Sequence, residues 1–234
     1  MRFQNTLKRE VLVSGRGLHT GREINMKLSP APRDTGIVFI RTDKRNVRMK
    51  ATVTSVAGTT FATTLASEGV KVGTVEHLLA AFAGLNIDNA YVELDGPEVP
   101  IIDGSSLPFV SKIIEAGIAK QAKTISCIRI LEPVVVIEGA CQIAVTPYEG
   151  TKITYRLFHT HPAFGEQKLG IDITTMNFIN EIAPARTFGF LRDVEMLRSR
   201  GLARGGSLEN AIVLGDKEVL NGNKLRFKDE FVRH

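Results

Sequence analysis

The chain has 234 residues, 43% of them hydrophobic and 24% charged, proportions that exclude a disordered or collagen-like polymer. A globule of this length buries roughly 70% of its unfolded surface, so it folds without a disulfide or metal staple, and its two cysteines, Cys127 and Cys141, are too few for a disulfide scaffold. Thirty basic against twenty-five acidic residues leave a net charge of +5, spread along the chain. That balance suits an anionic small molecule and lacks the dense basic stripe that nucleic acid selects. Met1–Arg9 contains no apolar core of signal-peptide length, and nothing approaches the roughly 18 apolar residues of a membrane span. The expected compartment is the cytoplasm.

Strand character appears first at Glu10–Val13, Ile24–Leu28, Ile37–Arg41 and Ala51–Val56, separated by turn signals such as Ser29-Pro30-Ala31-Pro32 and Asp34-Thr35-Gly36. A helix is predicted from Thr74, its N-cap, through the apolar face of Leu78, Leu79 and Phe82 to Gly84. Ala90–Leu94 alternates as a strand. Pro108 then opens a second helix that Gly117 ends. Near residues 120–126 the pattern restarts: strands at Ser126–Ile130, Val134–Glu138, Cys141–Val145 and Lys152–Phe158, helices at Thr174–Ile182 and Leu191–Arg200. Strands then helices, twice over, predict an α+β protein of two units, 1–122 and 123–234. At the end, Asp229 suits an N-cap and Glu230 a first turn, but the helix they begin stops at His234.

Of five histidines, His77 has a chemically useful neighbour in Glu76, at the start of a helix. Adjacent helical positions project about 100° apart, so one side chain can bind a metal while the other reaches a water on it. Alone, the dipeptide reads several times more readily as an acidic first helical turn. His234 also sits in a helix start, where a carboxylate four positions on would share its face. His159 and His161 face one side of a strand, and Pro162 beside them favours a turn-and-packing role. Thr187 lies between Arg186 and the aromatic residues Phe188 and Phe190. Leu191, Val194 and Leu197 form an apolar stripe of the kind that usually packs in a core. Gly201–Ser207 is glycine-rich without matching a phosphate-binding fingerprint, and a turn is expected.

In combination these stretches are far more specific. Gly17-Leu18-His19-Thr20-Gly21, Thr74-Val75-Glu76-His77-Leu78, Gly84–Asn89 and Pro100–Ser105 are followed in order by Ala185–Phe190, Ser199–Leu202, Gly205-Gly206-Ser207, Leu225–Phe227 and Asp229–His234. From first residue to last, the chain resembles the UDP-3-O-acyl-N-acetylglucosamine deacetylases, zinc amidases of lipid A biosynthesis. The resemblance implies two similar domains, each a small β-sheet with paired helices, the helices packed between the sheets and the active site between the domains. It implies Zn2+ held by His77 and His234, Glu76 as general base, and Thr187 donating to the developing oxyanion. Phe188, Phe190, Val194, Leu197, Leu202 and Ala203 would border a passage for the substrate's 3-O-acyl chain, with Leu18 and His19 nearby. The expected partner is a small molecule, UDP-linked acylated N-acetylglucosamine, with no nucleic acid, no integral membrane segment and a monomeric state.

The family pattern continues past His234 with a lysine, an aspartate four positions after the histidine, and a later histidine. None occurs here. The expectation is a truncated copy with two zinc ligands instead of three, poorly active or inactive alone. A non-catalytic sugar-nucleotide-binding homologue is the alternative, and retention of Glu76, His77 and Thr187 weighs against it.

Overall fold

A computed structural model of the protein describes residues 2–222 and 224–234. In chain order the first half contains β1 (Phe3–Leu7), β2 (Val11–Arg16), β3 (Glu23–Pro30), β4 (Ile37–Arg41), β5 (Val47–Lys50), β6 (Val56–Gly58), β7 (Thr64–Ser67), β8 (Val70–Val72), α1 (Glu76–Gly84), β9 (Ala90–Leu94), α2 (Leu107–Ala116) and β10 (Ile118–Thr124). The second half follows with β11 (Val134–Glu138), β12 (Cys141–Val145), β13 (Lys152–His159), β14 (Gly165–Asp172), α3 (Thr175–Asn177), β15 (Phe188–Phe190), α4 (Leu191–Ser199), β16 (Ile212–Leu214) and α5 (Glu230–Arg233). The protein is α+β.

The principal sheet has the order β2-β3-β9-β4-β5, with β9 parallel to β4 and the other pairs antiparallel. Its strands obey the period-two rule. Val11 and Val13 on β2, and Ile24, Met26 and Leu28 on β3, point to one buried face while their neighbours point out. Both helices cover that face: Leu78, Ala81 and Phe82 from α1 with Leu85 just after it, and Phe109, Val110, Ile113 and Ala116 from α2, belong to the same core. Pro108 in the first turn and Gly117 at the end bound α2 as expected.

The second half is built from ribbons. β11–β12 and β13–β14 are antiparallel pairs, and β15 pairs in parallel with β16. A small aromatic core ties the last two pairs to α5, with Phe164 stacked on Phe231 at 4.6 Å and Phe188 edge-on to Phe231 at 5.2 Å.

Several elements differ from expectation. Ala51–Val56 is no strand; β5 precedes it and a single 3-10 turn, Val53–Ser55, occupies it. Ser126–Ile130 lies outside any strand, because the pairing partner of β1 is β10, which ends at Thr124. The predicted helix at Thr174–Ile182 is one turn, capped by the Thr174 hydroxyl that accepts from the Asn177 amide at 3.1 Å, followed by a wide turn closed from the Ala183 amide to the Phe178 carbonyl at 2.7 Å. That turn carries Phe178, Ile179, Ile182 and Ala183 onto the first-half core.

The junction is close-packed at Gly84, where an added Cβ would be driven into the Phe178 ring. Gly84→Ala is therefore expected to destabilise the fold by about 1–3 kcal/mol through overpacking, although alanine is the better helix former. Urea denaturation followed by circular dichroism measures it.

Candidate active site

Glu76 and His77 stand in the first turn of α1, but Thr74 does not cap that helix. Its backbone is left-handed (φ 55°), and its hydroxyl donates to the Glu98 carboxylate at 2.8 Å. The helix starts one residue later, after Val75. Half-buried Glu76 accepts the Thr63 amide on Oε2 at 2.9 Å, and burial raises its carboxyl pKa above the usual range. His77 is 5% exposed, and its Nδ1 has no hydrogen-bond partner among the described residues. Burial, and then the neighbouring His234, push its pKa down to about 3.

His234 reaches His77 from the far end of the chain. The two rings meet edge-on with centroids 5.1 Å apart, and Phe188 stands 6.2 Å from His234 on another side. The residue as a whole is exposed, but its ring is crowded by these neighbours. Desolvation lowers its pKa to about 4, against the opposing charge of Glu230. What aims α5 is Glu230, which is fully buried. Its Oε1 accepts the Arg186 amide at 3.0 Å and Nε at 2.9 Å; its Oε2 accepts Arg186 Nη2 at 3.1 Å and the Arg226 amide at 2.6 Å. Burial alone would raise the carboxyl pKa, and these bonds outweigh it, so the net shift is downward. Asp229, expected to cap the helix, instead accepts the Arg233 guanidinium at 2.7 Å.

Thr187 follows Arg186, so the same ion pair locates it. Its amide donates to the Gly104 carbonyl at 2.7 Å, and its carbonyl accepts the Ile212 amide at 2.8 Å. Arg226 crosses the junction below it, donating to Asp103 at 2.9 Å and to the Pro184 carbonyl at 2.8 Å. The other motifs also meet. The Gly205 amide donates to the Leu18 carbonyl at 3.0 Å, and a Cβ on Gly205 would collide with the Gly17 carbonyl, so only glycine permits this approach. The glycine-rich stretch is a packing turn against the 17–21 loop. Its Gly205, Gly206 and Ser207 amides are taken by Leu18, Ala203 and Asn210, which leaves no phosphate cradle there.

Beyond Thr187 a cavity of about 550 Å³ opens, lined by Leu18, His19, Phe188, Phe190, Val194, Leu197 and Ala203, among others. Leu202 faces the adjoining cleft beside Thr74 and Glu98. A second apolar groove of about 570 Å³ runs from His234 along Gly84, Phe178 and the β13–β14 face.

The histidine pair suits a metal. Both imidazoles are neutral at ordinary pH, as ligands must be, and the buried Nδ1 of His77 lacks a protein partner. Among the described residues no cluster of three His, Cys, Asp or Glu side chains forms. His159 and His161 are engaged in stacking and turn hydrogen bonds. His159 stacks on Phe190 at 4.6 Å and accepts the His161 amide on Nδ1. His161 accepts the Ala163 amide on Nδ1 and bonds the Gly215 carbonyl through Nε2 at 2.8 Å.

The sequence did not single out Glu98, Arg226 or the buried role of Glu230. A signal existed for Glu98, a lone carboxylate set in the apolar run Val99-Pro100-Ile101-Ile102.

Residues 4–234 match the family described as UDP-3-O-acyl N-acetylglycosamine deacetylase. The chain is 53% identical over 234 residues to the UDP-3-O-acyl-N-acetylglucosamine deacetylase of Thermodesulfovibrio yellowstonii, covering 100% of this chain and 80% of that one. To the enzymes of the same name from Alcanivorax borkumensis and Myxococcus xanthus it is 50% and 49% identical, covering 99% of this chain and 77% and 74% of theirs.

Two outcomes follow from the electrostatics. His77 and His234 have folded pKa values near 3 and 4, below the unfolded value of 6.5, so the unfolded chain binds more protons in that window. The metal-free protein should keep its stability above about pH 6.5 and lose it progressively as the pH falls toward 4, read by urea midpoints at fixed salt. Glu230→Gln leaves Arg186 buried without its counter-charge. It is expected to cost about 3–5 kcal/mol in the same measurement.

Proposed function

Because this chain belongs to the UDP-3-O-acyl N-acetylglycosamine deacetylase family, we propose that it hydrolyses the acetamide of UDP-3-O-acyl-N-acetylglucosamine and releases acetate, with Zn2+ as cofactor. The observation that carries the reading is the meeting of His77 and His234 at 5.1 Å, beside a Glu76 carboxyl whose pKa is raised. Their side chains would hold the ion, which when bound supplies Lewis acidity toward water and the amide carbonyl.

The chain's own residues account for the rest. Glu76, with Oε2 held by the Thr63 amide, takes a proton from the attacking water on Oε1. Its upward-shifted pKa brings it closer to neutrality, where a general base works best. Thr187 is clamped on both sides of its backbone, so its hydroxyl is preorganised to donate to the oxyanion that develops at the amide carbon. The cavity beyond it accepts the 3-O-acyl chain between Phe188, Val194, Leu197 and Ala203. Each methylene buried there contributes about 0.8 kcal/mol. The two-unit division, 1–122 and 123–234, belongs to the same reading, with the site between the units.

With two imidazoles as its described donors, this chain is expected to hold zinc more weakly than a site with three protein ligands and to turn over slowly. Acetate release under increasing zinc, with bound metal counted by atomic absorption, tests this. A wild-type chain that binds substrate but no zinc at any concentration would favour the sugar-nucleotide binder instead. Glu76→Gln is expected to lower kcat by about 10²–10⁴-fold while leaving zinc stoichiometry unchanged. His77→Ala is expected to abolish zinc binding.

A further inference from the structure

Glu98 is 2% exposed and forms no ion pair among the described residues. A carboxylate buried without a cation is costly unless N–H and O–H donors replace its water. Three groups do so. The His19 amide donates to Oε1 at 2.9 Å, the Thr20 amide to Oε2 at 2.9 Å, and the Thr74 hydroxyl to Oε1 at 2.8 Å. The backbone on either side of Glu98 is laced to the same two segments. Gly73 donates to Pro97 at 2.9 Å and accepts from Val99 at 3.0 Å, while Gly17 forms a bridge with Pro100.

These contacts converge on two features nothing else explains. One is Thr74, a β-branched residue in the left-handed region, two positions before Glu76 and three before His77. Such a backbone persists only where its surroundings over-determine it. The other is His19, whose two ring nitrogens are both buried and without partners among the described residues, and whose side chain lines the cavity shared with Thr187 and Phe188.

We infer that Glu98 is a positioning residue: its buried carboxylate clamps the His19-Thr20 backbone to Thr74, and so fixes the unpartnered His19 imidazole relative to the Glu76–His77 end of α1. What the positioned groups then do rests on the function proposed above; the clamp itself does not.

Glu98→Gln keeps the volume but turns one acceptor oxygen into an NH2 that faces N–H donors. In the zinc-free protein, the His19 and Thr20 amides should exchange with deuterium at least about tenfold faster, and the His19 ring Cε1–Hε1 signal should move or broaden. Amides of the principal sheet, such as Met26 and Phe39, should hold their rates. In the zinc-loaded protein, kcat should fall about tenfold with KM nearly unchanged. Should Glu98→Gln fail to fold, Thr74→Val, which removes one arm of the clamp, should give the same two spectroscopic changes, and Thr74→Ser should give neither. An unchanged His19 ring signal and unchanged His19 and Thr20 exchange in a folded variant overturn the inference. So does acceleration of Met26 and Phe39 by the same factor, which marks a loss of global stability alone. Absence of acetate release by the wild-type chain counts against the proposed function and leaves the spectroscopic result standing.

Discussion

The ion pair between Arg186 and Glu230 holds the second half of the molecule to its purpose. Glu230 opens one short helix and lies four residues before His234, which follows that helix, and Arg186 lies one residue before Thr187. A fully buried carboxylate that accepts four N–H bonds leaves neither segment free to turn. The helix is too short to be stable by its own hydrogen bonds. It exists because Glu230, Phe231 and Val232 are all buried. Replacing this pair with hydrophobic residues need not weaken the fold, but no apolar pair would specify the same register of α5 against Thr187.

Desolvation is the common electrical theme. The same exclusion of water that keeps His77 and His234 neutral raises the Glu76 carboxyl. The first effect suits metal ligands and the second suits a base, so one physical cause prepares both. Two further carboxylates, Glu98 and Glu230, are buried more deeply than Glu76 and yet are fully hydrogen-bonded. They hold the structure, while Glu76 and the imidazoles of His19 and His77, unpartnered among the described residues, are left with unused capacity.

The halves interlock through close backbone approaches as well as through side-chain packing. Gly205 sits on Gly17, the Gly104 carbonyl takes the Thr187 amide, and Gly84 admits the Phe178 ring. The ordered motifs of the sequence are in this sense paired: 17–21 with 204–207, 100–105 with 185–187 and 226. This mutual dependence keeps a cavity open between elements that are otherwise small ribbons with exposed faces.

Local pattern carried the class of the fold and many of its strands. Ile37–Arg41, Ala90–Leu94, Val134–Glu138 and Cys141–Val145 were legible because side-chain alternation and turn residues act over a few positions. β1 was not, because its pattern is inverted: Gln4 and Thr6 are buried and Phe3 is exposed, the polar pair being satisfied across the chain by Asp34 and Asn89. Glu76, His77, Thr187, His234 and the apolar lining were expected only through the resemblance that the ordered motifs carry to the deacetylase family. That two imidazoles so distant in sequence share one spot, and that Glu98 and Glu230 are clamps and not surface charges, was decided only by the tertiary structure. Burial and long-range hydrogen bonding, which assign those roles, arise only when distant segments pack.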